Sequence, residues 1–194
     1  MSPPQISSAG PSEMQRAIST IVMAFSSDPI ARWFLPGPHQ YLTYFPEFIP
    51  PFAGQAFDHG SAYCTDDFAA ASLWLPPNVH SDQEVMGELA QRAVAESDQE
   101  KVFAFMGQMG VFHPTDPHWY LPLIGVDPPH QGRGLGSALL KHALQNCDRD
   151  KLPAYLEATS PGSRRLYERH GFEAIGEIQH ADSPPMWPML RKPR

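Results

Sequence analysis

Between Met14 and Phe25 the apolar residues Met14, Ala17, Ile18, Ile21, Val22 and Phe25 recur every three or four positions, the spacing of one helix face. A helix is expected over residues 13–25, with Ser12 as its N-cap and Gln15 completing a capping box. Pro29 opens a second, short helix through Phe34. Residues 41–57 are rich in aromatic side chains and predict helix interrupted at Pro46 and at Pro50-Pro51. Residues 61–65 and 69–75 are strand-like runs on either side of Asp66-Asp67, the pattern of a hairpin. Helical periodicity returns at 84–95 and 99–109.

The second half alternates more regularly. An apolar run of strand length over 118–126 leads into a glycine-rich turn and then a helix over 135–147. A short buried strand follows over 154–158. Ser160-Pro161 then supplies an N-cap and a first-turn proline for a helix that stops at Gly171, the favoured residue just past a helix end. Residues 172–178 and 186–190 predict closing strands. A hairpin followed by strand–helix–strand–helix–strand argues for one α/β domain with a mixed sheet, spanning residues 11–194. Residues 1–10 are expected to be loose, apart from a short strand at about 5–7. The chain's 194 residues suit that single domain. The proline pairs at 50–51, 76–77, 128–129 and 184–185 fall where elements should end.

A net charge of -7 argues against nucleic-acid binding, which needs clustered lysine and arginine. Cys64 and Cys147 lie far apart and without metal-ligand spacing, so they suggest a reducing compartment rather than a disulfide framework or a metal site. The start has neither a charged segment nor an apolar core, and no run approaches the roughly 18 apolar residues that cross a bilayer. A soluble, cytoplasmic protein without membrane partners is the expectation.

The turn Gln131-Gly132-Arg133-Gly134-Leu135-Gly136-Ser137 holds the candidate chemistry. Glycines let the chain turn tightly and let an anion approach the backbone, while the helix that follows presents unsatisfied N–H groups and the positive end of its dipole. A phosphate site is the direct reading. A P-loop would need lysine and then Ser or Thr after the last glycine, where Ser137-Ala138 stands. A dinucleotide fingerprint finds an acid, Glu157, near the required offset, but Ser137 replaces its third glycine and the turn comes late in the chain. The pyrophosphate arm of coenzyme A remains.

Val126-Asp127-Pro128-Pro129-His130-Gln131-Gly132-Arg133-Gly134-Leu135-Gly136 resembles motif A of the GNAT acetyltransferase superfamily, and Leu156-Glu157 with Leu166-Tyr167-Glu168-Arg169-His170-Gly171-Phe172 resembles its later motif. Within it, Trp119-Tyr120-Leu121, Leu73-Trp74-Leu75-Pro76 and the ending from Trp187 are similar to puromycin N-acetyltransferase-like members. The resemblance implies a mostly antiparallel mixed sheet, flanked by helices, with a splayed central strand pair. It implies acetyl-CoA as cosubstrate, no metal, a small-molecule amine as acceptor, and direct attack without an acyl-enzyme. Relatives often pair, so a homodimer is an expected assembly.

Residue by residue, the resemblance assigns backbone amides from Gly132 to Ser137 to the pyrophosphate and Ile124, Gly125 and Val126 to the pantetheine arm. Pro122, which cannot donate to a ladder, favours an edge or a bulge there. Tyr167 is the expected proton donor to the departing thiolate, and Glu157 the candidate base, with His118 and His130 as alternatives. Ser160 stands where relatives often carry an asparagine that contacts the cofactor, although capping also accounts for it. The aromatic stretch from Trp33 to Phe52 is expected to supply core and part of an acceptor pocket. The competing functions are an acyl-CoA-binding module without catalysis, acetylation of a peptide N-terminus, and a nicotinamide oxidoreductase.

Overall fold

The computed structural model describes residues 4–194. An edge strand, β1 (Ile6–Ser8), pairs antiparallel with β2 (Ala62–Thr65). The short strand expected at about 5–7 is β1, one residue later, and Ala9 behind it is buried where a loose segment was expected; the expectation for residues 1–3 lies outside the described residues. Helix α1 (Met14–Ala24) buries Ala17, Ile18 and Ile21 as the periodicity requires. Ser12 does not cap it. A 3-10 turn over Pro11–Glu13 precedes the helix, and the Glu13 carboxylate accepts a hydrogen bond from the Gly10 N–H at 3.1 Å. Proline fixes φ at the first position of that turn, so coiling starts before Ser12.

Helix α2 (Pro29–Phe34) is followed by α3 (Pro38–Ala53) and the single turn α4 (Gln55–Asp58). The breaks expected at Pro46 and Pro50-Pro51 do not occur, and α3 runs straight through all three prolines. An interior proline costs about 3 kcal/mol, whereas a buried Ile or Phe gains about 1.5–3 kcal/mol. Here Tyr41, Ile49 and Ala53 are buried in the main core and Phe45, Phe48 and Phe52 pack against it. Packing of one face outweighs the local penalties.

The remaining elements are β3 (Ala70–Leu75), α5 (Gln83–Ala93), α6 (Glu96–Phe112), β4 (Trp119–Val126), α7 (Leu135–Asp150), β5 (Ala154–Ala158), α8 (Pro161–Arg169), β6 (Glu173–Ala174) and β7 (Trp187–Arg191). One seven-stranded sheet runs in the order β1-β2-β3-β4-β5-β7-β6. Every named pairing is antiparallel except that of β4 with β5. One core cluster joins α1 and α3 to the sheet, and a second joins α7 and α8 to it. Helix α8 ends in a Schellman motif: Phe172 N–H donates to Tyr167 O, Gly171 N–H to Glu168 O, and Gly171 takes φ +88°. The strand expected over 172–178 shrinks to β6 and a lone bridge between Ile178 and Met186. Within the gap Gly176 is packed under Phe112, whose ring lies 2.3 Å from where a Cβ would stand. Buried Arg191 closes the C-terminal end with a bidentate pair to Asp148 at 2.8 and 2.9 Å.

Candidate active site

The parallel pair β4–β5 is in register only at Trp119/Ala154, Tyr120/Tyr155 and Leu121/Leu156, and then the strands part. Pro122 stands at the fork. Against β3 the register runs Leu73 opposite Leu123 but Leu75 opposite Tyr120, so β4 carries one extra residue there, a bulge. Beyond it β4 remains paired with β3 alone. Asp127 N–H donates to Ala69 O, and antiparallel pairs alternate between bonded and non-bonded positions. Gly125 therefore exchanges hydrogen bonds with Ala71, while Ile124 and Val126 turn their backbone groups into the split. Gln131 Nε2 takes the Val126 carbonyl at 3.1 Å. The Ile124 N–H and C=O and the Val126 N–H are left facing the gap. Gly125 lines the same cavity, but what requires glycine there is α1: an added Cβ would lie 2.5 Å from Ala24 Cβ.

At the mouth of the split, Gly132 and Gly134 take φ +75° and +82°, conformations that disfavour any side chain. Gly134 is also the N-cap of α7, without a side-chain partner for that helix's first N–H groups. A Cβ at either glycine would meet nothing within 4 Å. This is the cradle an anion needs: open space, free amides and the positive end of a 16-residue helix. A cavity of about 600 Å³ is lined there by Gln131, Gly132, Gly134, Leu135, Gly136 and Ser137. Arg133 is turned away, its guanidinium exposed and donating to the Pro129 carbonyl at 3.1 Å. The Ser137 hydroxyl shares a 2.8 Å hydrogen bond with His170 Nε2. Ser160 lines the cavity too, and its hydroxyl caps α8 by accepting from Ser163 N–H at 3.1 Å.

Tyr167 forms the inner wall of this cavity and is 6% exposed. Burial, and secondarily the charge of Asp28, push its phenol well above the usual value, so it stays protonated at any working pH.

On the other face of the split a second cavity, of about 470 Å³, contains Glu157 and Pro122. Tyr120 Oη donates to Glu157 Oε2 at 2.9 Å. Burial lifts the Glu157 carboxyl to about 7, against the opposing pull of that hydrogen bond. The two cavities share Phe25, Asp28 and Thr159, which stand where they meet. Asp28 caps α2 by accepting from Ile30 and Ala31 N–H, each at 3.0 Å, and accepts from the Thr159 hydroxyl as well. Its carboxyl is nonetheless raised by burial.

Of the alternative bases, His118 is buried, with Nδ1 on the Asp116 carbonyl and Nε2 on His113 Nε2, and it lines neither cavity. His130 sits at the mouth of the first cavity, tied to Asp127 at 3.0 Å. Neither cysteine lines either of these two cavities, and burial pushes the Cys147 thiol up to about 12. Asp28, His113 and Tyr120 are site residues the sequence reading did not name.

A mixed sheet forked beside an amide-rich turn, with a buried tyrosine in one cavity and a buried glutamate in the adjoining one, suits a group-transfer enzyme. The model of the Acetyltransferase (GNAT) family matches residues 55–172, and the chain belongs to that family. It is 26% identical over 198 residues to an uncharacterised N-acetyltransferase of Schizosaccharomyces pombe, covering 93% of this chain and 80% of that protein. Among solved structures, one from Corynebacterium glutamicum, described as histone acetyltransferase HPA2 and related acetyltransferase, superposes with a TM-score of 0.70 at 26% identity, over 98% of this chain and 97% of the other. A Drosophila melanogaster polyamine N-acetyltransferase shares the fold, with a TM-score of 0.72 at 16% identity over 98% and 100% of the two chains.

Proposed function

We propose that the protein transfers the acetyl group of acetyl-CoA to the primary amine of a small molecule, by direct attack in a ternary complex. The observation that carries this reading is the pair of cavities on the two faces of the β4–β5 fork, with Tyr167 in one, Glu157 in the other and only Phe25, Asp28 and Thr159 between them. Amides of residues 132–137 would hold the pyrophosphate, and the free backbone groups of Ile124 and Val126 the pantetheine arm. Bound there, the cosubstrate supplies an acetyl group already activated as a thioester. Glu157, titrating near neutrality, takes a proton from the amine and leaves it nucleophilic. Tyr167 delivers a proton from Oη on the other side of the fork, where charge develops on the departing sulfur. The high thiol pKa of Cys147 and the distance of both cysteines from the cavities support attack without an acyl-enzyme.

An apolar cavity of about 470 Å³ walled by helices α2, α3, α5 and α6 supports a small acceptor over a peptide N-terminus. Binding without chemistry is the reading to defeat. Saturating acetyl-CoA is expected to raise the melting temperature, and a panel of primary amines to release free thiol from it. Stabilisation without thiol release from any amine would overturn catalysis; no stabilisation would overturn the cofactor assignment itself.

A further inference from the structure

We infer that the acceptor is a monoamine on an uncharged, apolar body, and not a diamine or polyamine; this rests on the acetyltransferase reading above. The Glu157 cavity falls within the roughly 300–1,000 Å³ typical of small-molecule sites. Its walls come from four helices: Phe34 of α2, Phe48 and Phe52 of α3, Met86 of α5, and Met106 and Met109 of α6. Phenylalanine fixes apolar bulk and methionine adapts to it, so the walls select for hydrophobic volume more than for one shape.

Charge is confined to one end. Among the described lining residues the acids are Asp28 and Glu157. Asp28 stands at the junction of the cavities with its carboxylate committed to Ile30, Ala31 and Thr159. Glu157 accepts from Tyr120, with the Tyr155 hydroxyl also acting on it, and keeps lone pairs for one cation. The ring of His113 packs edge-on to Tyr120 with centroids 4.7 Å apart, which places the C-terminal end of α6 beside that carboxylate. Met106 lies seven residues back on the same helix face, roughly 10 Å along the axis. The α6 end remote from Glu157 therefore presents thioether, and the other polar lining, His80, Ser81 and Gln83, includes no further carboxylate. His113, a neutral ring with Nε2 bonded to His118, supplies no counter-charge to a cation. A second ammonium group would lie in this region desolvated and without a counter-charge, a costly state.

The test compares hexylamine and 2-phenylethylamine with 1,6-diaminohexane and spermidine, which differ in their further amino groups. Two readouts are used: kcat/KM for acetylation, and calorimetric binding of each amine to the protein saturated with free coenzyme A. The monoamines are expected to lead in both, by on the order of a hundredfold in kcat/KM. Diamines acetylated as well as hexylamine or better would overturn the inference and leave the acetyltransferase reading standing. Absence of acetylation of every amine would overturn both. Met106→Glu supplies the complementary arm, because a carboxylate at the apolar end gives a second ammonium its partner. In folded, coenzyme-binding Met106→Glu protein the ratio of 1,6-diaminohexane to hexylamine should rise at least tenfold, and an unmoved ratio would sink the inference.

Discussion

Thr159, the residue after β5, donates its hydroxyl to Asp28, the N-cap of α2, across 131 positions of sequence. Both side chains line both cavities. The contact thus fastens the wall of one cavity to the loop that enters α8, where Tyr167 sits. Burial is the largest influence on the Asp28 carboxyl and raises it, although three hydrogen bonds pull the other way. A side chain so engaged is placed to hold the junction open at a fixed width, and less well placed to exchange protons with an acceptor.

Asp28→Ala should therefore act on stability and acceptor binding together. It removes a cap worth about 1 kcal/mol and leaves the Thr159 hydroxyl without its partner, about another 1 kcal/mol. For a domain of this size the melting temperature should fall by roughly 4–8 °C. The KM for the amine should rise more than that for acetyl-CoA, since α2 borders the acceptor cavity. Equal shifts in both constants would show that the contact is structural only.

Glu157 gives a pH signature whose sign can be worked out in advance. Its folded-state pKa is raised from 4.5 to about 7. Between those values the folded protein keeps a proton that the unfolded chain has lost, so stability falls as pH rises from about 4.5 to about 7 and stays lower above. The proposed role as base needs the other form, so kcat/KM should climb through the same window and level off above about pH 7. Glu157→Gln should flatten both profiles. It should lower kcat/KM by roughly 10²–10⁴-fold and make the protein less sensitive to urea at pH 8 relative to pH 5 than the parent. A retained inflection near pH 7 in the variant would assign the titration to another group.

Much of this site was legible because its chemistry lies in backbone geometry that glycine and proline advertise. Gly132 and Gly134 sit at positive φ, as the proposed phosphate turn would need, and Pro122 marks the bulge at the fork. Ser160-Pro161 was readable as a cap because the first helical turn needs an acceptor side chain and tolerates proline. Asp28-Pro29 carries the same signature and went unread, since a cap cannot by itself reveal that its second oxygen reaches Thr159, just past β5. Tyr120 needed the parallel register of β4 with β5, a long-range fact. The unbroken α3 shows the opposite failure, a local proline rule applied where packed phenylalanines decided the outcome, and at α1 the capping pattern of Ser12 and Gln15 gave way to a 3-10 turn begun at Pro11.

Tyr167→Phe tests the other half of the proton transfer. The ring is packed in the second core cluster, its centroid 6.0 Å from that of Phe172. Removing one oxygen leaves that packing intact, so melting temperature and acetyl-CoA affinity should stay close to the parent's. The turnover number should drop by about 10²-fold or more, with KM for the amine little changed. Because burial holds the phenol protonated, the parent should show no loss of activity from Tyr167 ionisation up to pH 10. Turnover within twofold of the parent would remove Tyr167 from catalysis.

The two glycines at the fork and the turn should separate structure from cofactor binding. At Gly125 an added Cβ would lie 2.5 Å from Ala24 Cβ and 3.3 Å from Ile21 Cδ1, so Gly125→Ala forces α1 away from β4. Overpacking of that kind costs about 1–3 kcal/mol, and the loss should appear in chemical denaturation. Gly134 has open space around it, but φ +82° puts about 1–2 kcal/mol of strain on any side chain there. Gly134→Ala also places a methyl group over the N-terminus of α7, in the space assigned to the pyrophosphate. Its stability loss should be no larger than that of Gly125→Ala, while its dissociation constant for coenzyme A should rise more than tenfold and by a larger factor than Gly125→Ala produces. Should the order reverse, with Gly125→Ala the worse binder, the anion would have to be sought along β4 and not at the turn.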